Sequence, residues 1–392
     1  MTCAVADEMY PNATSRVIRS PLADGQDGST LSANSRHPRS GVRPSYLEAA
    51  GGLRMTRESS SEGSGDFAHS PVMVDEVVEL LTATPGGVVL DATVGGGGHA
   101  GALLAASTSH RLVGLDRDPE AVAAARSALA PFGARAVVVH ARFDRLTEVL
   151  ADVAAGEPVS GVLFDLGVSS RQFDEAGRGF SYRFDAPLDM RMDPTEGVTA
   201  ADVVNNAAED DLARLFADNG EGRFARRIAR AVVGARPVTT TTQLADIVRA
   251  AIPGPARHGG GHPAKRVFQA LRIAVNDELQ LLGPALEDAM EALVAGGRCV
   301  VLSYHSGEDR LVKEHFAAAG SGWCTCPPEI GCVCGAIPAV RVLTRGARLP
   351  TAAEVATNRR AASARLRAVE RLDAPFRTGA SDRDGPMHSE EG

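Results

Sequence analysis

From about residue 69 onward, short apolar runs alternate with polar breaks. Val88-Val89-Leu90 closes on Asp91, the glycines Gly95 to Gly98 follow, and an alanine- and leucine-rich stretch comes next. That order predicts a strand, a tight loop of bare backbone and a helix start. Arg111 to Asp116 repeats the run ending in an acid, and Pro119 then opens an alanine-rich helix where a missing N–H costs little. Further strands are predicted near 136–140 and 160–165, and an earlier helix carries Val74, Val77, Val78 and Leu81 on one face. This alternation predicts an α/β, Rossmann-like core with a mostly parallel sheet and helices on both faces.

The strand signal stops between about Ala186 and Gly283. Helices are predicted there over Ala200–Asn206, Asp210–Asp218, Phe224–Val233, Leu244–Ala251 and Val267–Leu282, and strand character returns at Arg298–Ser303. The expected organisation is a core in two parts, 66–185 and 284–372, interrupted by an all-helical insertion over 186–283. Residues 1–65 are rich in Ser, Gly, Arg and Pro, with a linker-like run from Ser59 to Gly65, and are expected to be disordered, as is the polar tail 373–392. Met55 is a candidate natural start.

Composition changes the picture only at the margins. A chain of 392 residues with 44% hydrophobic content can build a sizeable core. The net charge of −8 excludes a uniformly basic surface but not a local basic patch. Lys265 and Lys313 are the only lysines, so arginine carries the positive charge. No apolar run approaches the roughly 20 residues of a membrane span, and the N-terminus lacks the layout of a signal peptide. A cytoplasmic protein without a membrane is expected, with Cys3 and Cys299 reduced.

The glycine loop formally satisfies G-x-G-x-x-G/A at Gly95 to Ala100, which alone is a weak signal. A P-loop is disfavoured because no Gly-Lys-Ser/Thr follows. A dinucleotide site stays open, because Asp116 lies about 20 residues on, where an acid can hold a ribose. Two features favour S-adenosylmethionine instead. Asp91 directly precedes the loop, where methyltransferases use an acid to organise it and the cationic methionine end. Asp165 falls at the tip of the fourth strand, on the edge that faces the ligand crevice of an open α/β sheet. Phe143, after the third strand, is placed to flank an adenine. Each acid alone could be an ordinary strand-end carboxylate; their order along successive strand tips is the signal.

Six separated motifs resemble the bacterial ribosomal RNA small subunit methyltransferase H family, also called MraW. They are Asp91–His99, Asp165–Ser170, Pro187–Pro194, Gly220–Ala229, His262–Arg272 and Ser303–Arg310, within a resemblance running from about 69 to 370. It implies a class I methyltransferase core with an inserted helical domain. It also implies S-adenosylmethionine-dependent methylation of the exocyclic N4 of a cytidine in the decoding region of 16S ribosomal RNA. Carried over motif by motif, the cofactor contacts are Gly97, Gly98, His99, Asp116, Phe143, Asp165 and Gln172. The chain departs from the usual pattern at Tyr304, Gly307 and Gly222, which stand where phenylalanine, leucine and glutamate are common, and at Arg359 and Ala362 in the tail motif. A NAD-dependent oxidoreductase and a non-catalytic RNA-binding assembly factor are the competing functions.

A cytosine amine is a poor nucleophile, so alignment and an acceptor for its N–H groups matter more than a strong base. No catalytic base is assigned. His305 is the leading candidate for a base contact, with a helix cap as the alternative. Asp189 and Arg191 are expected to organise the mouth of the site, with an ion pair joining core and insertion as the alternative. Arg223, Arg226, Arg227 and Arg230 recur at helical spacing, and Lys265, Arg266 and Arg272 add charge on another helix; a phosphate track and solvated helix faces are the two readings. The partner is small-subunit ribosomal RNA or the 30S particle, and a homodimer is one option for an oligomeric state the sequence leaves open. Cys324, Cys326, Cys332 and Cys334 form two C-x-C pairs that fit a structural zinc site, a disulfide or a plain thiol cluster; no metal ligand is assigned.

Overall fold

The computed structural model describes residues 71–169, 172–173, 175–254 and 262–376. The expectations for residues 1–65, including Met55, and for 377–392 lie outside them. The first half alternates as α1 (Val74–Thr82), β1 (Gly87–Asp91), α2 (Gly98–Ala106), β2 (His110–Asp116), α3 (Pro119–Leu129), β3 (Ala136–His140), α4 (Leu146–Val153) and β4 (Val159–Asp165). A helical stretch follows: α5 (Ala200–Asn206), α6 (Glu209–Asp218), α7 (Ala225–Gly234), α8 (Thr241–Ala251) and α9 (Lys265–Val275). Then come α10 (Glu278–Ala292), β5 (Leu293–Ser303), α11 (Ser306–Gly320), β6 (Val340–Val342), α12 (Ala352–Thr357) and β7 (Arg365–Arg371). Among the described residues no helix is long and apolar enough to cross a membrane.

The sheet has seven strands in the order β3-β2-β1-β4-β5-β7-β6. β1 to β5 are parallel, and β7 and β6 are antiparallel additions at one edge. Strand periodicity sorts the core into two layers. Val88, Leu90, Val162 and Phe164 pack with α4, α10 and α11 on one face, through Leu146, Leu286, Met290 and Phe316. Val89, Leu112, Leu163 and Val300 meet α1, α2 and α3 on the other, through Leu81, Leu103 and Leu129. A third apolar cluster, in which Val204, Phe216, Ile228, Val248 and Leu271 are buried, holds α5 to α9 together with Leu188 and Met190.

Three details differ from the sequence expectations. The single helix expected over Val267–Leu282 is two, because Asp277 adopts φ 51° between α9 and α10. The break follows from Asn276, whose amide donates to Met190 O (2.8 Å) and accepts from Met192 N (2.8 Å), turning the chain from the helical cluster toward the sheet. β7 has no counterpart among the expected strands: Arg365 and Arg367 alternate with Leu366 and Ala368, and Arg367, largely covered and bonded to Asp309 at 2.7 Å, puts a charged residue where the strand is packed. Residues 373–376, expected to be loose, fold back so that Phe376 meets Trp323 edge-on at 5.1 Å.

Candidate active site

The C-terminal tips of β2, β1 and β4 lie side by side, the edge where open α/β sheets bind ligands. The chain leaves β1 through Ala92 to Val94, turns through a Gly97 N to Val94 O bond (2.8 Å) and enters α2. Gly97 has φ 83°, a left-handed conformation that favours glycine. A Cβ on Gly98 would sit 2.6 Å from Pro71 Cγ, whereas one on Gly96 would meet nothing within 4 Å. The loop is thus packed on one side and open at Gly96. No side chain caps α2, so its first N–H groups are left for a ligand.

Asp116 braces this loop. Its Oδ2 accepts Gly95 N at 2.9 Å and its Oδ1 accepts Asp118 N at 2.9 Å. Burial pushes its carboxyl up to about 6, against the pull of those two N–H groups. Asp91, 2% exposed, accepts Thr93 N at 3.2 Å. Burial drives it up to about 7, with His99 opposing and Asp165 and Asp116 adding repulsion. Asp165 completes the cluster. Its backbone N–H donates to Thr93 Oγ1 at 2.6 Å, which ties β4 to the loop after β1. Its Oδ1 accepts the Tyr304 hydroxyl at 2.7 Å, and its Oδ2 faces His99 Nδ1 at 3.5 Å. Burial raises the Asp165 carboxyl, and His99 and Tyr304 counter it. Burial and Asp165 together push the Tyr304 phenol up, which keeps it a donor.

His99 is buried, and its Nε2 lies 2.9 Å from Val72 O, so it reaches the ligand edge through Asp165. Phe143 stands after β3 with its ring edge-on to Phe164 at 5.9 Å. Gln172 is buried, donates to Asp118 Oδ2 (2.7 Å) and accepts Ser169 N (2.9 Å), which pins the segment after β4 to the turn after β2. Arg178 adds a second tie to Asp118 Oδ2 at 3.0 Å and donates to the carbonyls of Arg191 and Met192.

Arg191 holds Asp189 with two parallel bonds of 2.8 Å. Burial opposes the Asp189 charge, but those bonds outweigh it and keep the carboxyl below its usual value. The Asp189 carbonyl accepts Ala200 N at 2.7 Å, so the pair braces the approach to α5. His305 is the N-cap of α11: its Nδ1 accepts from Gly307 N (3.2 Å) and Glu308 N (3.4 Å), and its Nε2 lies 3.0 Å from Glu308 Oε1. The cap is therefore the role its contacts describe. Glu308 in turn accepts Tyr304 N at 2.7 Å, which positions the tyrosine.

In the helical stretch, Arg223, Arg226, Arg227 and Arg230 are exposed, as are Lys265 and Arg266. Arg223 and Arg226 line a shallow cleft with Asp210 and Arg214. Arg272 is not part of this surface. It is buried beside Glu278 (2.8 Å) and Glu308 (3.9 Å), and its charge is structural. Tyr304, Thr93, Arg178 and Asn276 escaped the sequence reading as site-building residues. Only Tyr304 left a signal there, as a polar replacement at the tip of a strand.

The profile of the MraW methylase family matches residues 66–372. A ribosomal RNA small subunit methyltransferase H from Frankia alni is 56% identical over 313 residues, covering 77% of this chain and 95% of its own. One from Heliobacterium modesticaldum is 50% identical over 311 residues, covering 78% and 99%. An rRNA methylase structure from Streptococcus thermophilus is 12% identical, covers 76% and 94%, and has a TM-score of 0.34, too low to bear on the argument. By the match of the family profile and by these relatives, the chain belongs to the MraW methylase family.

Proposed function

We propose that this chain transfers the methyl group of S-adenosylmethionine to the exocyclic N4 of a cytidine in the decoding region of small-subunit ribosomal RNA. Family membership makes it an S-adenosylmethionine-dependent ribosomal RNA methyltransferase. The observation that carries the cofactor assignment is the set of three carboxylates, Asp91, Asp116 and Asp165, beside an uncapped helix start. Burial raises all three carboxyls above their usual values, and a cation bound beside them would favour their ionised forms. A sulfonium and an ammonium suit the three acids, Asp116 suits a ribose diol, and family membership, not the helix start, favours S-adenosylmethionine over NAD.

When bound, S-adenosylmethionine supplies an electrophilic methyl group. The residues of this chain align the acceptor with it. Asp165 accepts an N–H of the cytosine amine as positive charge grows on N4, and Tyr304 and His99 hold its carboxylate in place. The carboxylate oxygens have lone pairs to spare for this bond. With the cofactor bound, N4 would gain the methyl group as the C–S bond breaks, and Asp165 or water would take the proton that the methylated amine sheds. Phe143 flanks the adenine, Gly97 and Gly98 present backbone, and Gln172 keeps the wall of the pocket closed. Asp189 and Arg191 shape the mouth, and the exposed arginines of α7, with Lys265 and Arg266, grip phosphates while the base is unstacked, which costs a few kcal/mol.

Mass spectrometry of ribosomal RNA nucleosides from cells lacking the protein tests this. N4-methylcytidine should fall, and an unchanged level would overturn the base assignment. S-adenosylmethionine, but not NAD, should raise the thermal stability of the pure protein, by roughly 2.7 kcal/mol at 100 times its dissociation constant.

A further inference from the structure

The segment joining α11 to β6 is closed at its base and unsupported at its tip. At the base, Ala339 N donates to Ala319 O at 3.0 Å. Gly322, at φ 65°, packs so tightly that a Cβ there would sit 2.4 Å from Ile337 O. Beyond that point, up to Ile337, none of the described residues is buried in a hydrophobic core: Ile330 is 64% and Val333 75% exposed. Yet the four thiols of Cys324, Cys326, Cys332 and Cys334 converge, with every sulfur within 4.8 Å of the others.

We propose that these four cysteines bind one structural zinc ion. Zinc–sulfur bonds of about 2.3 Å in a tetrahedron place the sulfurs about 3.8 Å apart. Cys332 and Cys334 lie 3.6 Å apart, as do Cys334 and Cys324, which is near that edge length and far beyond the roughly 2 Å of a disulfide. Val333 N donates to Cys326 Sγ at 3.4 Å, the kind of backbone bond that orients a thiolate ligand. Gly331 and Gly335, both at positive φ, flank the second C-x-C pair and let the chain turn so that both of its sulfurs face the first. An all-thiolate tetrahedron suits zinc and leaves no open position, so the ion is a staple and takes no part in methyl transfer. It holds the tip of a loop whose root, at Trp323, packs on Phe376.

The test uses the full chain, purified under reducing conditions without chelator and with any affinity tag removed. Elemental analysis should find one zinc per chain, retained on dialysis. Cys332→Ser with Cys334→Ser should abolish retention while leaving S-adenosylmethionine binding in place, since the cluster lies outside the glycine loop. Exchange of the native chain into cobalt(II) should give the visible bands of a tetrahedral thiolate site, a readout that does not depend on how the variant folds. Zinc retention no greater than that of the double variant would overturn the proposal. So would iron in place of zinc, or an intact mass showing the cysteines paired as disulfides.

Discussion

The Tyr304 hydroxyl donates to Asp165 Oδ1 at 2.7 Å, joining residues 139 positions apart across the neighbouring tips of β5 and β4. That bond favours the charged carboxylate, as does His99, while burial disfavours it. Tyr304→Phe therefore raises the Asp165 pKa further. If transfer needs the carboxylate, the acidic limb of the kcat–pH profile moves upward, and kcat near neutral pH falls about tenfold, the effect of losing one charged hydrogen bond. The KM for S-adenosylmethionine should change little. A profile that stays in place would remove Asp165 from the chemical step.

Cofactor binding should be linked to protons. Asp91 and Asp116 have folded-state values raised to about 7 and about 6. Their protonated forms favour the fold, so that stabilisation is full below about pH 4 and is lost as pH rises through about 6 and then 7. A cationic ligand prefers the ionised acids. Its affinity should therefore climb between pH 5 and 8, by up to about tenfold per pH unit for each proton released. Calorimetry in two buffers of different ionisation enthalpy counts those protons, and a pH-independent affinity would contradict the role of the acids.

Asp116→Ala removes both the proposed ribose contact and the bond that holds Gly95. Affinity for S-adenosylmethionine should weaken by about 10- to 100-fold, equivalent to about 1.4 to 2.7 kcal/mol. Equilibrium binding measures it, and an unaltered dissociation constant would mean the loop is braced without Asp116.

On the RNA side, Arg226→Glu and Arg227→Glu alter exposed positions and should leave thermal stability within about 0.5 kcal/mol of the parent. Affinity for small-subunit RNA should fall, and the slope of log affinity against log salt should shrink by about one for each lost phosphate contact. Binding titrations at several salt concentrations separate this from a mere loss of net charge at a distance, which would leave the slope unchanged.

Asn276 is buried and serves Met190 O, Met192 N and Arg272 O. Asn276→Ala leaves Met190 O and Met192 N unpaired, while Arg272 O keeps the backbone N–H of residue 276 at 3.1 Å, and should destabilise the protein by about 2–4 kcal/mol. A fall in melting temperature, with Asp189 and Arg191 unaltered in sequence, checks this, and a melting temperature equal to the parent's would mean water replaces the amide.

What the sequence made legible was local. Asp91, Asp116 and Asp165 each end an apolar run, so their places on strand tips follow from the alternation alone. The left-handed glycine at the start of α2 was legible in the same way. The Tyr304–Asp165 bond was not, because it depends on β4 and β5 being neighbours, and nothing in either strand's sequence says so. The Asn276 junction was hidden inside an unbroken helical pattern, since helical spacing does not register a single residue whose side chain has a better use elsewhere. β7 was hidden because its alternate positions are arginines, one of them covered by its bond to Asp309, so that pairing with β5 and β6, not composition, decides the strand. Arg272 carries the opposite lesson: its charge beside Lys265 and Arg266 suggests a phosphate track or a solvated face, and it is neither, because Glu278 holds it in the interior.

The pairing of Asp165 with Leu302 also sets an order of events during folding. β3, β2 and β1 pair across short βα spans, and β4 joins β1 across the 71 residues from Val88 to Val159, about half the 137 that separate Asp165 from Leu302. β5 must cross the whole helical stretch before it can zip onto β4, a high-contact-order step that slows the barrier crossing. On an emerging polypeptide the Tyr304 side of the cleft is therefore the last wall to be raised, and the pocket becomes competent only after the arginine-bearing helices have already been made.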